Sequence, residues 1–209
     1  MASNCVDLAA ALDQYQVVRI IAGIAKGRLL EPPRGTATRP TSDRVREAIF
    51  SAIEARLDLA DAEVLDLFAG TGALGLEAIS RGAVAAVFVD DDAECERLIL
   101  RNGSAVGLAG AMRVLRMDVH AALGELKAQG RSFDLVLADP PYANPVNDLL
   151  DAIANTQLLA QHGLLVLEHG GKRELTPPRG LTLLHTRRYG DTAVTFFSTE
   201  TAPPASLPI

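Results

Sequence analysis

Hydrophobic residues along the chain follow two alternating patterns, short β-branched runs and longer stretches with a helical period. Five short runs bounded by Gly, Asp or Pro predict buried strands: Val64–Phe68, Ala85–Val89, Arg113–Met117, Phe133–Ala138 and Gly163–Glu168. Four intervening stretches predict helices: Ala73–Arg81, Ala93–Val106, Val119–Gln129 and Val146–Leu159. Because strands that alternate with helices form βαβ units, we expect an α/β fold with a mostly parallel sheet covered on both faces.

Both ends of this alternating region change character. Leu181–Tyr189 and Ala193–Ser198 flank Gly190-Asp191, which predicts an antiparallel hairpin. Near the start, Val17–Leu30 contains two short apolar runs separated by Lys26-Gly27 and predicts a second hairpin.

A loop and a helix are predicted between the first hairpin and the sheet. Glu31–Pro40 is rich in Pro, Gly, Thr and Arg and is predicted to be a loop. Thr41 or Ser42 can cap a following helix, with Asp43 favourably placed in its first turn. The apolar stripe of that helix is Val45, Ala48, Ile49, Ala52 and Ile53.

Composition limits the class of protein. With 209 residues, 48% of them hydrophobic, the chain can form one substantial core and is not globally disordered. No apolar run approaches the roughly 18 residues of a membrane span. Cys5 and Cys95 are the only cysteines, which fits a reducing cytoplasm, and the four histidines have no metal-ligand spacing, so no metal is expected.

We divide the chain into four regions on these patterns. Residues 1–17 are interpreted as a poorly ordered extension that is not a signal peptide, and residues 200–209 as a flexible tail. Residues 18–42 form the first hairpin and its loop, and residues 43–199 the main domain.

A glycine-rich loop follows the first strand of the sheet. Asp66-Leu67-Phe68-Ala69-Gly70-Thr71-Gly72-Ala73-Leu74-Gly75 contains G-x-G-x-x-G between a strand and a helix, and Asp90 ends the next strand. This arrangement matches the dinucleotide fingerprint, in which Asp90 would accept the two ribose hydroxyls. Asp66 argues against a pyrophosphate, which its carboxylate would repel, and favours S-adenosylmethionine, whose ammonium it can attract.

A further acidic residue follows the third strand. Asp118 can accept the adenine amino group of the cofactor, or it can cap the helix that begins at Val119, and the two roles are compatible. The predicted cofactor-binding residues are therefore Asp66, Phe68, Gly70, Thr71, Gly72, Asp90, Asp118 and Val119.

The fourth strand runs into Asp139-Pro140-Pro141-Tyr142 at the carboxyl edge of the sheet, where open α/β folds bind ligands. Two prolines remove N–H donors and leave a rigid group of acceptors. The Asp139 carboxylate and the Pro140 carbonyl can hold a planar exocyclic amine, and Tyr142 can stack on its base, a contact worth about 1–3 kcal/mol. Asp139, Pro140 and Tyr142 are the predicted catalytic residues.

The glycine loop together with Asp139-Pro140-Pro141-Tyr142 resembles the amino methyltransferases of the Rossmann-like class I fold. That resemblance implies a seven-stranded, mostly parallel sheet with a C-terminal antiparallel hairpin, S-adenosylmethionine as methyl donor, and an amine of a base or a glutamine amide as acceptor. Adenine, cytosine, guanine and glutamine all stay open at this point.

Charge is unevenly distributed along the chain. Its formal net charge of −6 argues by itself against a nucleic-acid partner. However, seven basic and two acidic residues lie between residues 16 and 46, a net +5, which leaves −11 for the rest. A basic cluster of this kind can contact phosphates, although a solvated surface is the simpler interpretation of charge alone.

The order of residues within this cluster is more specific than its charge. The segments Arg19-Ile20-Ile21-Ala22-Gly23, Lys26-Gly27-Arg28 and Arg39-Pro40-Thr41-Ser42-Asp43-Arg44-Val45-Arg46-Glu47 closely resemble the ribosomal small-subunit methyltransferase D family. Leu74–Ala78, Ser80–Gly82 and Tyr189-Gly190-Asp191-Thr192 extend the likeness to about residues 18–198.

By this resemblance, the chain is expected to be a cytoplasmic, monomeric enzyme that methylates the N2 amine of one guanine in 16S rRNA of the small ribosomal subunit or a late assembly intermediate. The N-terminal arm would contact RNA, with Arg39 and Arg44 as candidate substrate contacts. The alternatives are a methyltransferase for DNA adenine or protein glutamine, and a non-catalytic RNA-binding factor in ribosome assembly. A dehydrogenase is disfavoured because no second catalytic domain is present.

Overall fold

A seven-stranded sheet forms the centre of the protein, which we describe from a computed structural model covering residues 18–33, 43–141 and 145–199. Its strands are β3 (Glu63–Leu67), β4 (Ala85–Asp90), β5 (Met112–Arg116), β6 (Phe133–Ala138), β7 (Leu159–Gly170), β8 (Thr182–Tyr189) and β9 (Thr192–Ser198). A separate two-stranded hairpin, β1 (Val18–Arg19) and β2 (Leu29–Leu30), precedes it. The predictions for residues 1–17, 200–209, Arg39, Thr41, Ser42 and Tyr142 lie outside the described residues.

Within the described ranges, five helices connect or precede the strands. They are α1 (Asp43–Glu54), α2 (Ala73–Ser80), α3 (Ala93–Ala105), α4 (Val119–Ala128) and α5 (Val146–Thr156), with a 3-10 turn at Ala109–Ala111. None of the helices in these ranges is long and apolar enough to cross a membrane.

The strand order is β5-β4-β3-β6-β7-β9-β8. The first five strands are parallel, whereas β9 runs antiparallel to both β7 and β8. The order reverses at β3, which lies between β4 and β6, and ligands of open α/β sheets bind at the carboxyl end of such a switch point. The predicted α/β class, seven-stranded sheet and C-terminal hairpin are confirmed.

Two hydrophobic layers cover the sheet, one on each face. The first contains side chains of the N-terminal hairpin, α1, α2 and α3, such as Ile20, Phe50 and Leu76. The second contains side chains of α4 and α5, such as Leu123 and Leu150. Burial on both faces explains why the central strands are near-continuous apolar runs.

The N-terminal hairpin is docked onto α2. The buried Glu77 carboxylate accepts hydrogen bonds from the Ile21 N–H (2.7 Å) and Ala22 N–H (3.0 Å) and from Arg81 Nε (2.7 Å). Ser80 Oγ donates to the Ala22 carbonyl at 2.6 Å. Backbone N–H groups that leave water need partners. By supplying them, Glu77 and Ser80 fix the hairpin beside α2.

One predicted boundary is wrong. The helix predicted to extend to Leu159 ends at Thr156, and Gln157 adopts a left-handed conformation with φ 57°. A left-handed residue terminates a helix, and Leu158 and Leu159 then pack into the second layer. Consequently β7 starts at Leu159, four residues before the predicted strand, and contains an irregularity opposite Phe133–Leu135.

Candidate active site

The glycine loop between β3 and α2 has an unusual backbone. Phe68, Gly70 and Gly72 have φ values of 59°, 56° and 77°, all in the left-handed region. Glycine adopts this region without steric cost, but Phe68 does not, and such strain in a non-glycine residue clusters at functional sites. The loop therefore reverses the chain sharply at the carboxyl end of β3.

The third glycine lets α2 lie close to the sheet. A Cβ on Gly75 would come within 2.4 Å of Phe88 Cε1 and 3.0 Å of Asp66 Oδ2. Any side chain at this position would push α2 away from β4. The glycine thus has the helix-packing role expected of the last glycine in the motif.

Asp66 lies beneath the loop and is 1% exposed. Its Oδ2 accepts a hydrogen bond from the Gly75 N–H at 2.9 Å. Burial raises the pKa of Asp66 to about 8, with smaller contributions from the Asp139 and Asp90 charges, against the lowering effect of the Gly75 hydrogen bond. A cationic ligand near this carboxyl would favour its ionised form.

Asp90 and Asp118 end or follow neighbouring strands and organise backbone around the site. Asp90 Oδ2 accepts from the Gly70 N–H at 2.9 Å, so this carboxylate holds the glycine loop. Asp118 Oδ1 accepts from the His120 and Ala121 N–H groups at 2.9 and 3.1 Å, which confirms the predicted cap of α4. The Val119 side chain is buried in the second layer, so any contact of Val119 with a cofactor would come from its backbone.

Asn102, which was not predicted as a site residue from the sequence, links the glycine loop to the N-terminal hairpin. The buried Asn102 of α3 donates Nδ2–H to the carbonyls of Thr71 (2.9 Å) and Glu31 (3.2 Å), and its Oδ1 accepts from the Glu31 N–H at 2.7 Å. One amide side chain therefore joins the glycine loop to the end of the N-terminal hairpin.

Asp139 follows β6, directly beside the glycine loop. The Ala138–Leu67 register pair places it next to β3, and its N–H contacts the Leu67 carbonyl at 3.4 Å. Although Asp139 retains an exposed surface, the surrounding protein desolvates its carboxyl. This desolvation, with a smaller contribution from the Glu168 charge, raises the pKa of Asp139 to about 7. Within the described ranges no N–H group donates to this carboxylate.

Glu168 is a second residue at this edge that the sequence did not identify as part of the site. Because Ala138 pairs with Leu167, Asp139 and Glu168 occupy the next row of adjacent strands at the same edge. The available signal was the end of the predicted strand Gly163–Glu168, but a single acidic residue at a strand end is not distinctive.

The structure brings most predicted site residues to one edge of the sheet. Asp66, the glycine loop, Asp90 and Asp139 lie at the carboxyl ends of three adjacent strands, with Asp118 following β5 and Pro140 buried behind Asp139. Arg44 is exposed in the first turn of α1. No group of three or more His, Cys, Asp or Glu side chains that could hold a metal is found in the described part of the chain.

These residues fit S-adenosylmethionine. The glycine loop turns the chain at the carboxyl end of β3, and Asp66, Asp90 and Asp118 are the carboxylates predicted to bind an ammonium, a ribose and an adenine amine respectively. Three carboxylates around one loop would be unfavourable for a pyrophosphate. Fold and site thus define a class I methyltransferase that uses S-adenosylmethionine, as predicted from the sequence.

Comparisons with known proteins agree with this class. The chain belongs to the family described as Conserved hypothetical protein 95, which matches residues 18–198. YlbH of Bacillus subtilis is 37% identical over 182 residues, covering 86% of this chain and 98% of its own length. Ribosomal RNA small subunit methyltransferase D of Escherichia coli K12 is 32% identical over 185 residues, covering 88% of this chain and 90% of its own length. A solved structure of a Thermus thermophilus protein aligns with a TM-score of 0.77 at 37% identity, covering 87% of this chain and 99% of that one.

Proposed function

We propose that the protein transfers a methyl group from S-adenosylmethionine to the exocyclic N2 amine of a guanine in 16S rRNA of the small ribosomal subunit. The observation that carries this proposal is the position of Asp139, a carboxylate with no protein donor in the described residues, beside the glycine loop at the same sheet edge. The names of relatives over most of the chain support ribosomal RNA as the substrate.

The Asp139 carboxylate and the Pro140 carbonyl form the acceptor group of the site. This group explains how a weak nucleophile would react. The nitrogen lone pair of guanine N2 is delocalised into the ring, so the amine must become pyramidal to attack. The Asp139 carboxylate and the Pro140 carbonyl would accept its two N–H groups and favour that geometry. Because these hydrogen bonds strengthen as positive charge develops on the nitrogen, they stabilise the transition state more than the ground state.

When bound, S-adenosylmethionine would supply an electrophilic methyl group on its sulfonium, with a neutral thioether as the leaving group. Asp66, Asp90 and Asp118 would hold its ammonium, ribose and adenine. The new N–C bond leaves the amine cationic and acidic, and the ionised Asp139 or water takes the proton. Protein groups therefore orient both reactants and remove one proton.

Two other functions were weighed against this one. Methylation of DNA adenine or of a protein glutamine would use the same acceptors, but the relatives that match most of this chain are named as ribosomal RNA methyltransferases. A non-catalytic RNA-binding assembly factor would not require the Asp139-Pro140-Pro141 segment. We further propose that the enzyme acts in the cytoplasm, as a monomer, on the small subunit or a late assembly intermediate.

Label transfer from S-adenosylmethionine tests the substrate. Small subunits and 16S rRNA from a strain that lacks this enzyme, DNA and a release factor are incubated with the protein in parallel. We expect label in 16S rRNA, recovered as N2-methylguanosine after digestion. Label only in DNA or protein, or in another base, would overturn the proposal.

A further inference from the structure

A groove of about 610 Å³ lies between α1 and the end of β8, outside the site described above. It is lined by Arg44, Val45, Ala48, Arg187, Arg188 and Tyr189. The last of these begins Tyr189-Gly190-Asp191-Thr192, which the proposed chemistry does not use. Arg44 and Arg187 beside the Tyr189 ring and an apolar floor indicate a ligand that is anionic and has flat apolar surfaces.

Strand order brings this groove to the catalytic edge of the sheet. Because β9 is antiparallel to both β7 and β8, β8 runs parallel to β7 and ends at the same edge. Arg187 of β8 pairs with Val194 of β9, and Val194 pairs with Glu168 of β7. The same row across the sheet continues to Asp139 at the end of β6. Three strand spacings separate Asp139 from Arg187, about 14 Å between backbones.

Side-chain alternation directs this part of β8 toward α1. His185 stacks on Phe196 of the first layer, with ring centroids 4.3 Å apart. Since alternate residues of a strand share a face, Arg187 and Tyr189 project to the same side. Tyr189 packs at the border of that layer, whereas Arg44 and Arg187 are exposed.

The groove arginines differ from most others in the chain. Eight arginines form ion pairs with carboxylates: Arg19, Arg46, Arg81, Arg97, Arg101, Arg113, Arg116 and Arg131. In the ranges that the structure covers, Arg44, Arg187 and Arg188 form none. The Asp43 carboxylate next to Arg44 is bound by Arg19 and Arg46 at 2.7 and 2.8 Å. The β8–β9 hairpin carries an acidic residue, Asp191, in its turn.

We propose that this groove binds the RNA strand that flanks the target guanine, an inference that rests on the proposed function. Arg44 and Arg187 contact backbone phosphates from opposite walls, and the Tyr189 ring contacts a flanking base. At about 14 Å from Asp139, the groove lies beyond the span of the target nucleotide itself. These contacts hold the RNA in register while the target base occupies the acceptor group.

The variants Arg44→Ala, Arg187→Ala and their combination test the proposal. Arg179→Ala is the matched control, because Arg179 is exposed without an ion pair in the described structure but precedes β8 at its opposite end. Methyl transfer to small subunits and binding to protein-free 16S rRNA are measured from 50 to 200 mM salt. Cofactor affinity and thermal unfolding are measured in parallel.

We expect the double variant to raise KM for RNA about tenfold or more, with kcat at saturation, cofactor affinity and melting temperature close to those of the wild type. Its plot of log affinity against log salt should be less steep by about 1.4, the loss of two phosphate contacts on a single strand. Arg187→Lys should keep the wild-type salt slope, since it keeps the charge.

If the double variant and Arg179→Ala bind RNA with equal affinity and equal salt slope, the proposal that the groove binds RNA is wrong. A variant that loses activity on subunits but binds protein-free 16S rRNA normally would also overturn it, and would assign the groove to a ribosomal protein. A wild-type protein that methylates no RNA would instead overturn the proposed function, and this outcome is visible before any variant is compared.

Discussion

The cofactor half and the acceptor half of the sheet edge organise their charges in opposite ways. In the cofactor half, Asp66, Asp90 and Asp118 each accept hydrogen bonds from backbone N–H groups of the protein itself. In the acceptor half, at the ends of β6, β7 and β8, Asp139 has no such donor in the described residues, and desolvation, with a smaller contribution from the Glu168 charge, raises its pKa. The arginines at the end of β8 are likewise without ion pairs there.

This difference reflects the ligands that the two halves meet. A small cofactor fits between fixed groups, so the cofactor half is held in place by its own hydrogen bonds before binding. The RNA substrate that we propose would bring its own donors and phosphates, for which the acceptor half keeps acceptors and cations available. The two halves should therefore respond differently to substitution.

The largest effect is expected from Asp139→Ala, which removes the principal acceptor for the amine. Turnover should fall by about 10²–10³-fold, as when one group that stabilises a transition state is deleted. Cofactor affinity, measured by calorimetry, should stay within about twofold of the wild type, because the cofactor half keeps its hydrogen bonds. Asp151→Ala, an exposed position on α5, is the control. Parallel loss of cofactor binding would contradict the separation of the halves.

A smaller effect on the opposite half is expected from Gly75→Ala. Its Cβ would overlap Phe88 and crowd Asp66, so α2 must shift, at a cost of about 1–3 kcal/mol in unfolding free energy. Cofactor affinity should fall with it. Gly124→Ala in α4 has no atom within 4 Å of the new Cβ and should be neutral or stabilising by about 0.5–1 kcal/mol. If both variants unfold alike in denaturant, the packing argument is wrong.

The smallest change is a shift of the pH profile. If the ionised form of Asp139 accepts the amine, as proposed, its pKa of about 7 predicts half-maximal turnover near pH 7 and a plateau roughly one to two pH units higher. Glu168→Gln removes a neighbouring negative charge, which lowers the pKa of Asp139 and moves the inflection to lower pH. Turnover near pH 8 should change little. An inflection that stays in place, or moves upward, would exclude this coupling.

Several features followed from local sequence because their physical causes are local. The glycine loop could be located because Gly70 and Gly72 take conformations that other residues avoid. Asp118 as the cap of α4 followed from its position just before a helical pattern. The site roles of these residues, and the RNA-binding role of the N-terminal arm, stay predictions.

Other features depended on contacts between distant residues. Counting Arg46 in the basic arm could not reveal that it is 2% exposed and bound to Asp43 and the Arg19 carbonyl. Likewise, nothing near Gln157 in the sequence required a left-handed residue, and the helix was predicted to run on to Leu159.

The sequence by itself determined the α/β class and located the glycine loop and the Asp139-Pro140-Pro141 segment, because apolar periodicity, glycine conformation and proline geometry act over a few residues. Only the tertiary structure decided that Glu168 and Arg187 share a row with Asp139, although 29 and 48 positions separate them from it along the chain. Strand register is set by packing across the whole sheet, so this half of the site is defined by the fold.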